Sequence, residues 1–593
     1  MSTSQQHIAL KDRSPLPPNN AQCPIRLAGG RLGQLLLVLW LLPLPCGCLA
    51  SGHMSNAVPV RLGVDTAGSI AYQEQMGKRH PWESEAWFRG LKELGVGFVS
   101  THFPPVTTAG TNNSALTRQQ LETIDSAMRA HRLEYSLNVE YANWVPRLEI
   151  TPGVDELEHP GGTHRWDLRM DWLAAVLPPA RPAPPALVAI TYDECEHMIL
   201  SNNKYANSPV KTFDEPFLVN THGLPLTTAY DRLVAEAKRL REEHYGNRVR
   251  LQTEQVWPDL FHIFARAGWT LTPKLLKENI GSVIMSTALG AAIQYQDAGA
   301  SLWASPDLWN LDRYPGHSPQ ALRSALLTAY WLGAETIYVE NLDFHHWQPR
   351  HPEADPEGSL LVWSDPEHYQ LTRHGRVVQE FYRDYVPKHP RTIRWQDYEP
   401  RVAIIRLPDG GWGQSDKSAS RNRLLGNRDM PLDEAASEWL YVWPILTHGA
   451  ARPGAISSQN KSVYPKGIEE FFSPIDSVAV FDHNVTAERL AGVDCLIVCG
   501  HALSAATFQA VRQRVAAGAT CLIARRLYAQ HASGKLPGDW MVVDDFKDAA
   551  IARKLAPFLG SPDVARYRFK HAIVEFRKDQ GPDNLSVRLL ERN

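Results

Sequence analysis

Seven side chains able to carry acid–base chemistry fall at or just past the ends of short apolar runs: Asp65, His102, Glu140, Glu194, Glu254, Asp307 and Glu340. A single acid at such an end has a dull use, capping the next helix. Six on one rim repel one another unless a substrate, a cation or basic residues balance them. Paired carboxyls of this kind suit cleavage of a glycosidic bond, which needs one protonated to assist the leaving oxygen and one ionised as nucleophile or base. The segment Ile190-Thr191-Tyr192-Asp193-Glu194-Cys195-Glu196-His197 runs from an apolar strand into adjacent acids. Like-charge proximity and partial burial there can raise one pKa, so Glu194 is the expected acid. Strand alternation places Asp193 on the other face, unless the strand end bends both inward. For the partner, Glu340 and Asp307 rank equally and Glu254 follows. A separation of about 5–5.5 Å from Glu194 would mean retention, and about 6.5–9.5 Å inversion.

Aromatic and polar residues near these acids are candidates for sugar stacking and hydroxyl recognition: Asp65, His102, Glu140, Tyr141, Trp144, Tyr192, Asp193, Glu254, Trp303, Trp309 and His345. The chain has 18 Trp and 19 Tyr, enough to line a saccharide groove as well as a core. Asp343, His345 and His346 could ligate a metal, but adjacent residues seldom reach one ion. No metal and no cofactor is therefore expected.

The elements that must position these residues alternate as parallel βα units from Val60 to about Phe344. Expected strands are Val60–Asp65, Gly97–His102, Leu133–Glu140, Ala186–Glu194, Arg248–Glu254, Ser282–Thr287, Ala300–Ala304 and Glu335–Glu340. The sixth ends in hydroxyls, Ser286 and Thr287. Ser318-Pro319 opens a helix as N-cap and first-turn proline. Eight such units in an α/β chain predict a (β/α)8 TIM barrel over 58–395, whose site forms at the strand C-termini. A flavodoxin-like α/β domain follows over 400–535, with strands at Val402–Ile405, Val478–Phe481, Cys495–Val498 and Thr520–Ala524. A small β region, 536–593, closes the chain with Ala572–Arg577 and Leu585–Leu589.

At 593 residues the chain needs more than one core. A net charge of −3 argues against nucleic acid or an anionic membrane held by bulk charge. Arg26 and Arg31, the run Leu35–Leu42 and small residues up to Ala50 match a signal peptide over 1–50, so an exported, periplasmic or secreted protein is expected, with no membrane association beyond export. Cys46 and Cys48 form a poor lipobox. Cys195, Cys495, Cys499 and Cys521 lack a disulfide or metal spacing, and Cys499 is expected to be a buried small apolar residue.

The order of signal segment, barrel with strand-end acids, flavodoxin-like domain and β tail resembles the family-42 β-galactosidases of glycoside hydrolase clan A. Leu326–Tyr338 is similar to the unit before their eighth strand. The resemblance implies a carbohydrate substrate, an amidotransferase-like domain without its own catalysis, and a possible homo-oligomer. Where clan A places Asn-Glu after the fourth strand this chain has Asp193-Glu194, and where it places a nucleophilic Glu after the seventh the chain offers Asp307. Two other readings compete. A saccharide-binding barrel without chemistry would leave Glu194 with no carboxylate partner within roughly 10 Å, and a metal-assisted hydrolase or lyase would lose activity on chelation.

Overall fold

The computed structural model describes residues 57–66, 81–103, 114–140, 167–177, 186–196, 218–276, 281–308, 317–340, 342–343, 359–409, 433–451, 471–579, 581 and 583–592. The expected signal segment 1–50 lies outside them.

The first sheet is a parallel barrel. Its strands are β1 (Arg61–Asp65), β2 (Phe98–His102), β3 (Glu134–Asn138), β4 (Leu187–Asp193), β5 (Arg250–Gln255), β6 (Thr270–Leu275), β7 (Ser301–Leu302), β8 (Ser305–Pro306) and β9 (Thr336–Val339). They pair in the order β7-β6-β5-β4-β3-β2-β1-β9, with β8 also on β6. β7 and β8 are two pieces of one staved position, interrupted at Trp303 and Ala304. That position closes the barrel on β9: Glu335 N donates to Leu302 O at 2.8 Å, Tyr338 N to Ala304 O at 3.1 Å and Glu340 N to Pro306 O at 3.0 Å. Eight parallel staves result, which is the TIM barrel expected.

Local signals set the bounds of the outer helices. Ser84 Oγ caps the helix Glu85–Leu94 by accepting from Trp87 N, and Gly95 stops it at φ 86°. Ser318 Oγ caps Pro319–Trp331 by accepting from Ala321 N. Inside the barrel floor Phe98, Ala189, Trp303 and Tyr338 form a separate apolar cluster. Gly63 is required beside it, since a Cβ there would lie 2.5 Å from Phe98 O and 2.6 Å from its ring.

The sixth stave is not where the sequence put it. Ser282–Thr287 lies within the helix Gly281–Gln294, and Thr287 Oγ1 donates to Val283 O at 2.8 Å. All fourteen residues of that helix are buried, so no polar face reveals its period. A fully buried helix and a buried strand then show the same unbroken apolar run. The true stave, Thr270–Leu275, contains Pro273 and Lys274, residues that mark strand edges and loops when read alone.

After the barrel, β10 (Leu361–Asp365) and β11 (His368–Leu371) form a hairpin. The second α/β block is a parallel sheet of β12 (Val402–Arg406), β14 (Val478–Asp482), β15 (Cys495–Val498), β16 (Thr520–Ala524) and β17 (Asp539–Val543). Its order, β14-β12-β15-β16-β17, is the flavodoxin-like arrangement. This sheet continues past residue 535 to Val543. The last sheet joins β13 (Ile475–Asp476), β18 (Val564–Arg568), β19 (Ala572–Arg577) and β20 (Ser586–Glu591). Cys195, Cys495, Cys499 and Cys521 are buried free thiols.

The flavodoxin-like sheet packs on the barrel through the buried helix. A Cβ on Gly290 would meet Val480 O at 2.0 Å. Asp482, at the end of β14, accepts from Gln294 Nε2 at 2.5 Å, Tyr230 OH at 2.6 Å and Tyr295 OH at 2.5 Å.

Candidate active site

Strand alternation sends every second residue into the barrel, and the last inward residue of each stave reaches its C-terminal mouth. On β4 Thr191 and Asp193 point inward, on β5 Gln252 and Glu254, on β6 Thr272 and Lys274. Gln252 ties the layer beneath the mouth together: its Oε1 accepts from Thr191 Oγ1 at 2.9 Å, and its Nε2 donates to Thr272 Oγ1 at 2.9 Å and to Tyr338 OH.

The acids above this layer surround one ammonium. Lys274 Nζ lies 2.6 Å from Glu340 Oε2, 3.2 Å from Asp193 Oδ1 and 3.3 Å from Glu194 Oε1. Glu254 Oε1 and Asp307 Oδ2 are each 3.8 Å away. The Lys274 side chain is 1% exposed. Asp193 and Glu194 both reach it because the strand end bends: Glu194 has φ 48°, in the left-handed region, and its N–H donates to Glu254 O at 2.8 Å. Ordinary alternation would have sent Glu194 outward. Asp193 is steadied by Asn138 Nδ2, which donates to its Oδ2 at 3.1 Å.

Burial disfavours the charged form of Lys274, but Asp193, Glu340, Glu254 and Asp307 outweigh it and raise its pKa well above the usual lysine range. The amine is thus a fixed cation and not a nucleophile. Glu254 is driven the other way. Burial and the charge of Asp193 raise its pKa well above the ordinary carboxyl value, against the opposing pull of Lys274 and of the Tyr338 hydroxyl that donates to its Oε2. Burial and Asp193 thus favour the uncharged form of the Glu254 carboxyl.

On the β1–β3 side His102 Nε2 is 3.0 Å from Asp65 Oδ1, and His102 Nδ1 is 4.0 Å from Glu140 Oε2. Burial works against the charged form of both partners. Their mutual attraction wins, raising the His102 pKa with help from Glu140 and Asp193, and lowering that of Asp65. Asn138 Oδ1 accepts from Glu140 N at 2.9 Å and so sets the turn that aims Glu140. His102, Glu140 and Asp193 offer ligand atoms within 4.8 Å of one another, a grouping that could hold a cation. Lys274 already sits 3.2 Å from Asp193, however, so a second cation there would meet electrostatic opposition.

The structure brings together Asp65, His102, Glu140, Asp193, Glu194, Glu254, Asp307 and Glu340. It does not bring two of the expected sugar-contacting rings to them. Tyr192 points out of the barrel, donating to Asp167 Oδ1 at 2.5 Å and packing on Trp269. Trp303 is fully buried at the opposite, N-terminal end, edge-on to Phe98, beside a cavity of about 450 Å³ lined also by Arg61, Glu134 and Arg250. Two separate causes place them there: a residue one position from an inward acid faces outward, and a residue near a stave's start lies at its floor. Tyr141, Trp144, Trp309 and His345 lie outside the described residues. Sequence reasoning missed Lys274 and Asn138. The alternation Thr270, Thr272, Lys274 was a signal for the former, hidden by Pro273.

In the second block, Cys499 is buried at the end of β15, where burial raises its thiol pKa far above the usual range. It fits the expected small apolar role rather than that of a nucleophile.

No family model matches the sequence, and no curated protein matches it. Among solved structures, the chain is similar to a β-galactosidase from the Antarctic haloarchaeon Halorubrum lacusprofundi, at 11% identity and TM-score 0.47, covering 90% of this chain and 99% of the other. It is similar also to a β-galactosidase from Marinomonas ef1, at 13% identity and TM-score 0.44, over 87% and 95% of the two chains. An exo-β-1,4-mannosidase from Opitutaceae bacterium strain TAV5 aligns at 10% identity and TM-score 0.44, over 91% and 87%. The fold itself rests on the stave order and closure described above.

Proposed function

We propose that this protein is a glycoside hydrolase that cleaves O-glycosidic bonds in an oligo- or polysaccharide, with Glu194 as general acid and Glu340 as the ionised partner. The observation that carries this reading is the convergence of strand-end carboxyls from β4 and β9 on one point. Glu194 Oε1 and Glu340 Oε2 lie 3.3 and 2.6 Å from the same nitrogen. Those two oxygens cannot be farther apart than the sum of those distances, which falls below the roughly 6.5 Å at which inverting spacings begin. This favours retention, with Glu340 attacking the anomeric carbon while Glu194 protonates the departing oxygen, then activates water. The same bound for Glu194 and Asp307 passes 6.5 Å, so Asp307 ranks behind. A pure binding barrel has no need of this convergence. Export to the periplasm or medium fits the expected signal segment and remains part of the proposal.

The test is turnover of aryl glycosides and polysaccharides by wild type and Glu194→Gln. Loss of a general acid costs about 10²–10⁴-fold in rate, and the loss should shrink on aryl leaving groups that need no proton. Near-normal turnover of a poor leaving group by Glu194→Gln, with folding intact, removes the assignment.

A further inference from the structure

Five carboxyl groups within 4 Å of a single buried ammonium form a cluster that cannot be fully ionised at little cost. The distances are unequal, and Coulombic attraction follows them. Glu340 is nearest to Lys274 at 2.6 Å, on β9's end, while Glu254 and Asp307 stand off at 3.8 Å. Asp193 has a second donor in Asn138, and Glu254 accepts from Tyr338. Beyond this shell the titratable groups facing the cluster are the Asp65–His102 pair from β1 and β2, and Glu140 past β3.

We infer that Lys274 is a positioning residue of this site, its ammonium selecting Glu340 as the carboxylate that stays ionised and leaving the cluster's protons to the acids farther from it. This rests on the glycoside hydrolase reading for the meaning of Glu340, though not for the charge distribution itself. Without the ammonium, Glu340 is a buried carboxyl among four others and takes up a proton. A protonated Glu340 cannot attack an anomeric carbon. The lysine also contacts both the proposed acid and the proposed nucleophile, so its loss removes a tie between them.

The experiment compares wild type with Lys274→Met, Lys274→Gln and Lys274→Arg in two readouts. In pH profiles of kcat/KM on an aryl glycoside, Lys274→Met should lower kcat at neutral pH by about 100-fold or more with KM little changed. The acid limb should move up by about one to three pH units. Lys274→Arg, which keeps the charge, should hold the limb near its wild-type place and recover part of the rate. A uniform loss across pH with the limb unmoved means a structural role only and overturns the inference.

The second readout needs no activity. Infrared difference spectra of Lys274→Met against Lys274→Arg at neutral pH should show a gain of about one protonated carboxyl, and the gain should vanish when Glu340→Gln is added. No gain, or a gain that survives Glu340→Gln, contradicts the inference even where no glycoside is turned over. If Lys274→Met does not fold, Lys274→Gln carries both measurements. A wild type inactive on every glycoside, with the carboxyl gain present, would sink the hydrolase reading alone.

Discussion

At the scale of single residues, two glutamates of the Lys274 shell stand in different electrostatic settings. Glu340 lies 2.6 Å from the ammonium, while burial and Asp193 raise the pKa of Glu254 beside Tyr338. A neutral amide imitates a protonated carboxyl but not an ionised one. Glu254→Gln should therefore keep kcat within about tenfold of wild type, whereas Glu340→Gln should lose it by about 10³-fold or more. Parallel kinetics on one aryl glycoside check this, and equal losses in the two variants would contradict the protonation assignment. The acids were legible in the sequence because each closes an apolar run. Lys274 was not, because its stave carries a proline and only two clear alternations. The inward turn of Glu194 was not legible either, since nothing in its neighbours demands a positive φ.

At the scale of elements, the bend after β4 is held by a buried acid. Glu196 Oε1 accepts from Val256 N at 2.6 Å and from Trp257 N at 3.4 Å, linking the ends of β4 and β5. Burial pushes its pKa up to about 8, with the two N–H bonds opposing. In the unfolded chain this carboxyl ionises near its ordinary value of 4.5. Because the folded pKa is raised, the folded state binds more protons between those values. Stability from Glu196 is thus fully present below about pH 4.5 and is lost as pH rises toward 8. Glu196→Gln keeps an acceptor for both N–H groups without the ionisation. Its Tm should fall less than that of wild type between pH 5 and 8, measured by thermal melts across that range. Parallel Tm curves would remove the account of Glu196. The misplaced sixth stave belongs to this scale as well. Gly281–Gln294 has no polar face, so neither helix nor strand period could emerge from it.

At the scale of the whole molecule, barrel and flavodoxin-like sheet share that buried helix as their common wall. Gly290 allows Val480 to approach, and Asp482 gathers Gln294, Tyr230 and Tyr295. Alanine in place of a mid-helix glycine ordinarily stabilises by about 0.5–1 kcal/mol. Here the added methyl meets backbone, so Gly290→Ala should destabilise by about 1–3 kcal/mol, seen in denaturant unfolding. A more stable variant would mean that the two blocks do not pack this closely. The two-block architecture was legible, because alternating apolar runs and caps survive any choice of partner. Which helix joins the blocks was hidden, because a wall buried on both sides loses the pattern that would show it. The central claim is that this architecture delivers Glu194 and Glu340 as a retaining catalytic pair. Its most direct test is to follow by NMR the anomer first released from a glycoside that the wild type cleaves. The account predicts release with the anomeric configuration of the substrate retained. First release of the opposite anomer would contradict it.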